Sequence, residues 1–225
     1  MSKKQSSNEI GGVFGMGTGP RYFLRQLSTH SYLHFGNDAK IGGDLIQKTE
    51  LLTKYSNIKL TRYYVVCLGI SLNDKVLRKI PPKSYQLRPG REGGFATHLM
   101  EKAYKVLKEE VITHFKEEGN LQPYTGRKFA YDLCYLNVPD HVGRPRMTYY
   151  FKFGAKLEVE PNTLFLSFPA PEGNILCLTV VPLKNEKLPN ILGARHQSDH
   201  SFLFDVEKKE ISFFQMPHRV FSDCY

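Results

Sequence analysis

Three side chains with chemistry to offer fall within one short stretch, 193-GARHQSDHSFLFDV-206: His196, Asp199 and His200. An imidazole beside a carboxylate can orient a water, accept a proton or steady positive charge at a breaking bond. The carboxylate also fixes the tautomer of the histidine and raises its basicity. Metal binding is a second reading, since His196 and His200 are four positions apart, but it requires both on one helix face. The flanks argue against a helix: LPN-ILG leads in and the strand pattern SFLFDV leads out. No HExxH glutamate or evident third ligand accompanies them, so the sequence points to no metal site and no cofactor. The plain alternative is a surface loop whose aspartate caps a turn.

Other stretches offer weaker chemistry. A magnesium-dependent nuclease needs carboxylates close to a lysine, and 156-KLEVE-160 with Asp140 upstream supplies the residue types. Glu158 and Glu160 would share a strand face there, but the acid-x-lysine order is not met. The glycine-rich 11-GGVFGMGTGP-20 lacks the GK[ST] ending of a phosphate loop, and no strand pattern leads into it. It reads as a flexible arm, about 1–20, delivering Arg21 and Arg25, which share a face if RYFLRQL is helical.

The elements that must position these groups are legible in outline. Residues 43–57 read as a short amphipathic helix, with Asp44 as a possible N-cap, and 60-LTRYYVVCLGISL-72 reads as a buried strand. A long helix over 95–119 is set by Met100, Ala103, Leu107, Val111 and Phe115 at helical spacing, with Gly119-Asn120 ending it. His98 and His114 ride on its surface or boundary. Strand patterns follow at 128–138, 146–153, 163–168, 174–183, 201–206 and 211–216, separated by short turns. That texture favours a meandering antiparallel sheet. The fold class is therefore α+β: antiparallel sheets, one long helix and one or two short ones, in a single domain over 1–225. Lys128, Tyr131, Arg146, Tyr149 and Lys152 interleave with apolar residues along the strands and would suit a basic, aromatic concave face.

Composition sets further limits. Hydrophobic content of 41% and charged content of 24% are ordinary for a folded soluble protein. No apolar run reaches the roughly 18–20 residues of a membrane helix, and the first residues lack the apolar core of a secretory signal. Cys67, Cys134, Cys177 and Cys224 form no CxxC pair, and three sit in apolar strand patterns, which suits reduced core thiols and a cytoplasmic location. A net charge of +9 favours polyanionic partners.

Taken in order, Arg21 after the glycine-rich arm, 50-ELLTKY-55, the strand-rich second half and 196-HQSD-199 resemble the PabI-type restriction DNA glycosylases in size, organisation and motif order. The resemblance implies a homodimer of strongly curved antiparallel sheets, a half-pipe, that binds double-stranded DNA at 5′-GTAC-3′. It implies metal-independent excision of flipped adenine, with strand breakage following at the abasic sites, and a cognate DNA methyltransferase in the same system. Carried onto this chain, Asp199, His196 and Tyr55 take the catalytic roles, with Tyr63 or Tyr64 in place of Tyr55 if the register shifts. Arg21, Arg25, Glu50, Arg62, Tyr63 and Lys152 would contact DNA. The alternatives are a magnesium-dependent restriction endonuclease and a non-catalytic DNA-binding protein.

Overall fold

The computed structural model describes residues 39–42, 45–55, 58–77, 86–89, 95–184, 190–205 and 207–216. In chain order the first half gives β1 (Gln47–Glu50), β2 (Leu52–Tyr55), β3 (Ile58–Leu72), β4 (Lys75–Val76), β5 (Gln86–Pro89), β6 (Thr97–Met100) and the helix α1 (Glu101–Gly119). The second half gives β7 (Cys134–Leu136), β8 (Met147–Phe151), β9 (Lys156–Val159), the single-turn helix α2 (Pro161–Leu164), β10 (Phe165–Ala170), β11 (Gly173–Leu178), β12 (Val180–Leu183), β13 (Asn190–Leu192), β14 (His200–Asp205) and β15 (Glu210–Gln215). The architecture is mostly β with few helices, its sheets are largely antiparallel, and no closed barrel forms among the described residues.

The largest sheet runs β12-β6-β13-β5-β3-β8-β9, with β2 and β4 also paired to β3. Two three-stranded sheets, β1-β15-β14 and β10-β11-β7, complete the set. β3 is the spine, because its β-branched and aromatic run suits a strand paired on both sides. The expected meander is only partly present, since β12 pairs β6 and β13 pairs β5 in parallel.

Three local readings are corrected. The helix expected over 43–57 is not formed among its described residues, 45–55, where the helical spacing of the apolar residues is overridden by distant partners. β1 pairs β15, with Thr49 opposite Ile211, and the Leu51 N–H bonds the Lys209 carbonyl at 2.8 Å. The long helix starts at Glu101, because Thr97–Met100 are held as a strand by β12 and β13. The pattern at 174–183 divides at Thr179 into two strands belonging to different sheets, and that at 128–138 narrows to Cys134–Leu136.

The C-terminal end of α1 forms as read. Asn120 takes the left-handed conformation at φ 50°, its N–H bonds the Lys116 carbonyl, and Leu121 N–H reaches back to the Phe115 carbonyl at 3.1 Å. Ala103, Tyr104, Leu107, Val111 and Phe115 form the buried stripe. Burying each of the larger of these side chains contributes about 1.5–3 kcal/mol.

The sheet β10-β11-β7 shows the strand period of two directly. Leu176 and Tyr135, opposite each other, face the main core, whereas the next pair, Cys177 and Cys134, faces a second cluster with Ile175. Tyr124, Phe129, Tyr131, Leu136 and Phe168 cover that cluster. There Cys134 and Cys177 form a disulfide, which corrects the expectation of reduced thiols. The physical reason is the register, which places the two β-carbons on the same face of neighbouring strands. Cys67 is free and buried.

Candidate functional site

The loop with the suggestive residues is a turn of 3-10 helix, Arg195–Gln197, between β13 and β14. It lies against β6 through Gly193. A β-carbon there would sit 2.4 Å from the Ala96 carbonyl carbon, so glycine alone allows the approach. The turn sends His196 inward and Asp199 toward α2, which separates the expected pair.

His196 is 1% exposed and both ring nitrogens are occupied. Nε2 lies 3.0 Å from Thr179 Oγ1, and Nδ1 lies 2.9 Å from Thr97 Oγ1 and 3.0 Å from the Tyr149 hydroxyl. The hydroxyl protons assign the tautomer. Thr179 Oγ1 donates to the Leu164 carbonyl at 2.7 Å, so it must accept from an Nε2–H. Nδ1 is then bare, and its single lone pair accepts from the Tyr149 hydroxyl, to whose oxygen Thr97 donates, while Thr97 Oγ1 itself accepts from Gly193 N–H at 3.0 Å. Burial, reinforced by the neighbouring Arg195 charge, pushes the His196 pKa down to about 3. The imidazole is thus a neutral, saturated joint between β6, β8, β13 and the Thr179 corner. It has no face toward solvent from which to move a proton.

Asp199 accepts a hydrogen bond from the Thr163 hydroxyl of α2, and its carbonyl accepts from Met216 N–H at 2.9 Å. Arg195 completes the same junction. It donates to the carbonyls of Thr163 at 2.8 Å and Phe165 at 3.0 Å, and also to that of Asn162. Its guanidinium sits 5.2 Å from the Phe95 ring centroid. His200 begins β14 against Phe202 and Phe213. Burial holds its pKa down to about 4, partly offset by the Asp199 and Glu160 charges. The loop therefore ties α2, β6 and β14 together.

The remaining sequence-derived residues disperse. Glu50 and Lys152, both expected at DNA, pair with each other at 2.5 Å. Tyr55 ends β2, and Arg62 and Tyr63 belong to β3. Their side chains, like all of Arg21 and Arg25, lie outside the described residues. Glu158 and Glu160 meet the Arg146 guanidinium at 3.6 and 3.3 Å, a cation where the nuclease reading needs a metal. Tyr149, expected on a basic concave face, is fully buried beside His196. The residues that the sequence did not flag are Thr97, Thr179 and Arg195, whose roles depend on contacts far along the chain. The signal available for the disulfide was that Cys134 and Cys177 each fall in a strand pattern.

The profile of the xylanase inhibitor C-terminal family matches residues 62–215. The chain belongs to that family. Its fold is that of the pepsin-like aspartic proteases. Among solved structures the chain is similar to that of edgp, with 16% identity and a TM-score of 0.57 over 76% of this chain and 45% of that one. It is also similar to basic 7S globulin from soybean, at 15% identity and a TM-score of 0.56 over 75% of this chain and 41% of that one. Conglutin gamma, a basic 7S globulin from lupine seeds, aligns at 18% identity and a TM-score of 0.57 over 75% of this chain and 40% of that one. At such identities these structures speak for the fold alone. The chain spans less than half the length of each of them. No curated protein matches it.

These findings overturn the glycosylase resemblance. The family and its structural relatives are not DNA glycosylases or restriction endonucleases. Double-stranded DNA, the homodimer and the methyltransferase partner were implied by that resemblance and fall with it, as does the non-catalytic DNA-binding alternative. The correction has a structural counterpart in the His196-Asp199 pair, whose two members serve separate packing contacts.

Proposed function

We propose that this chain is a lobe of a protein-binding protein of the xylanase-inhibitor kind, whose partner is a polysaccharide-degrading glycoside hydrolase. The family match over 62–215 carries this reading. The Cys134–Cys177 disulfide supports an oxidising compartment in place of the cytoplasm expected from the sequence. The half-pipe form rested on the glycosylase resemblance and has no part in this proposal.

The test is to titrate an endo-xylanase with the purified chain, following xylan hydrolysis and, separately, complex formation by calorimetry. Loss of hydrolysis with saturable binding is the expected result. Hydrolysis of a peptide substrate by the chain itself at acid pH, without xylanase binding, would overturn the proposal.

A further inference from the structure

On the side of the sheet β10-β11-β7 that faces away from the main core, the disulfide cluster is roofed by a loop, 124–131, that its own contacts hold in one shape. The Tyr124 N–H bonds the Cys134 carbonyl at 2.8 Å, which fixes the start of the loop on β7. The Tyr124 hydroxyl donates to Glu172 Oε1 at 3.2 Å and accepts from the Arg127 N–H at 3.2 Å, so the chain turns around it. Gly126 lies against that hydroxyl, and a β-carbon there would push it off its two partners. Phe129 packs edge-on against Phe168, with ring centroids 5.3 Å apart, and its ring lies 6.0 Å from that of Tyr124. Tyr131 covers the cluster with them.

What this loop presents to solvent is cationic. Thr125, Gly126, Arg127 and Lys128 are exposed one after another. The Arg127 guanidinium lies 5.1 Å from the Phe129 ring centroid, an aromatic support that steadies it. Elsewhere on the surface Lys75, Lys105, Lys108, Arg146 and Lys152 each meet a carboxylate. Among the described residues no carboxylate pairs with Arg127 or Lys128. Glu172 and Asp132 are engaged by other groups, the first by Tyr124 and the second by Tyr104 and Lys108.

A loop already held in shape loses little freedom on binding, and arginine is among the side chains that carry most binding energy. Two adjacent cations without carboxylate partners call for an acidic surface opposite them. A glycoside hydrolase carries such a surface by the nature of its chemistry, since a pair of carboxyl groups flanks the bond it breaks. We propose that loop 124–131 contacts the acidic cleft of that hydrolase, with Arg127 and Lys128 facing its carboxylates and Phe129 backing Arg127. The assignment rests on the reading of the chain as a hydrolase-binding lobe and adds the surface through which it binds. The chain's net charge of +9 speeds encounter with an acidic partner.

The test measures binding of the full chain to an endo-xylanase by calorimetry at low and high salt. Saturable binding that weakens as salt is added is expected. Arg127→Glu combined with Lys128→Glu should weaken it about thirtyfold at low salt. The melting temperature should stay unchanged, because both side chains are exposed. Arg127→Lys combined with Lys128→Arg should retain saturable binding. A xylanase whose catalytic carboxylates are replaced by amides should bind the wild-type chain more weakly and respond less to the charge reversal, which couples the two sites. Undiminished binding by the charge-reversed chain would overturn the loop assignment alone, as would an unaltered response with the amide xylanase. Absence of wild-type binding would overturn the underlying reading and the assignment together.

Discussion

The 193–200 loop and the 152–154 turn are opposites. The loop holds the residues that look reactive, His196, Asp199 and His200, yet the groups of His196 and Asp199 are bonded inside the molecule. The turn's one charged group, Lys152, is paired with Glu50, and beside it a phenylalanine in the left-handed region stands in open solvent. Residue type alone thus says little about how either is used. A histidine whose two nitrogens are satisfied in a dry interior is a structural joint. An exposed aromatic at a left-handed position is set by the tight β8–β9 hairpin, whose two central residues, Phe153 and Gly154, both need positive φ.

Breaking the joint should have the largest effect. His196→Ala would leave Thr97, Tyr149 and Thr179 without their shared partner and open a void, at a cost of about 3–5 kcal/mol in denaturant unfolding. Disulfide reduction comes next. The bond joins positions 43 apart, and its loss should cost about 2–4 kcal/mol, read as a lower unfolding midpoint in reductant or in a Cys134→Ser, Cys177→Ser double variant.

The pH response should be graded. His196 and His200 have folded pKa values, about 3 and about 4, below the ordinary 6.5. Their neutral forms are therefore fully accommodated above pH 6.5. As pH falls below it the unfolded chain takes up protons that the folded chain refuses, and stability drops by about 1.4 kcal/mol per pH unit for each histidine until its folded pKa is reached. Unfolding curves at about pH 7 and about pH 5 measure this, and His200→Phe should remove about half of the slope. The smallest effect has the opposite sign: Phe153→Gly should stabilise the fold by about 1 kcal/mol, because glycine accepts the left-handed conformation without strain.

How much of this the sequence shows follows from how local the determinants are. The run 60–72 is strongly β-forming, and the strand β3 contains it. The stripe ending at Phe115 and the Asn120 stop are likewise local, and the second half of α1 matches them. By contrast the expected helix over 43–57 has helical spacing, but 47–50 and 52–55 within it are drawn into strands by partners at 210–213 and 58–64, the first of which no local window of the sequence contains. His196 is defined by Thr97, Tyr149 and Thr179, which lie 99, 47 and 17 positions away. A four-residue HxxD pattern holds none of that information, and so the motif order supported a family to which the chain does not belong. The strain at Phe153 is a backbone fact that residue type alone does not announce.

The most direct test of the structural reading is a nitrogen-detected NMR titration of the His196 ring. The expected result is a neutral imidazole, protonated on Nε2 and bare on Nδ1, that does not titrate as pH is lowered from neutrality until the protein itself approaches unfolding. A freely titrating His196 with a midpoint near the ordinary 6.5 would contradict the account, because it would mean that the ring reaches solvent and can move protons.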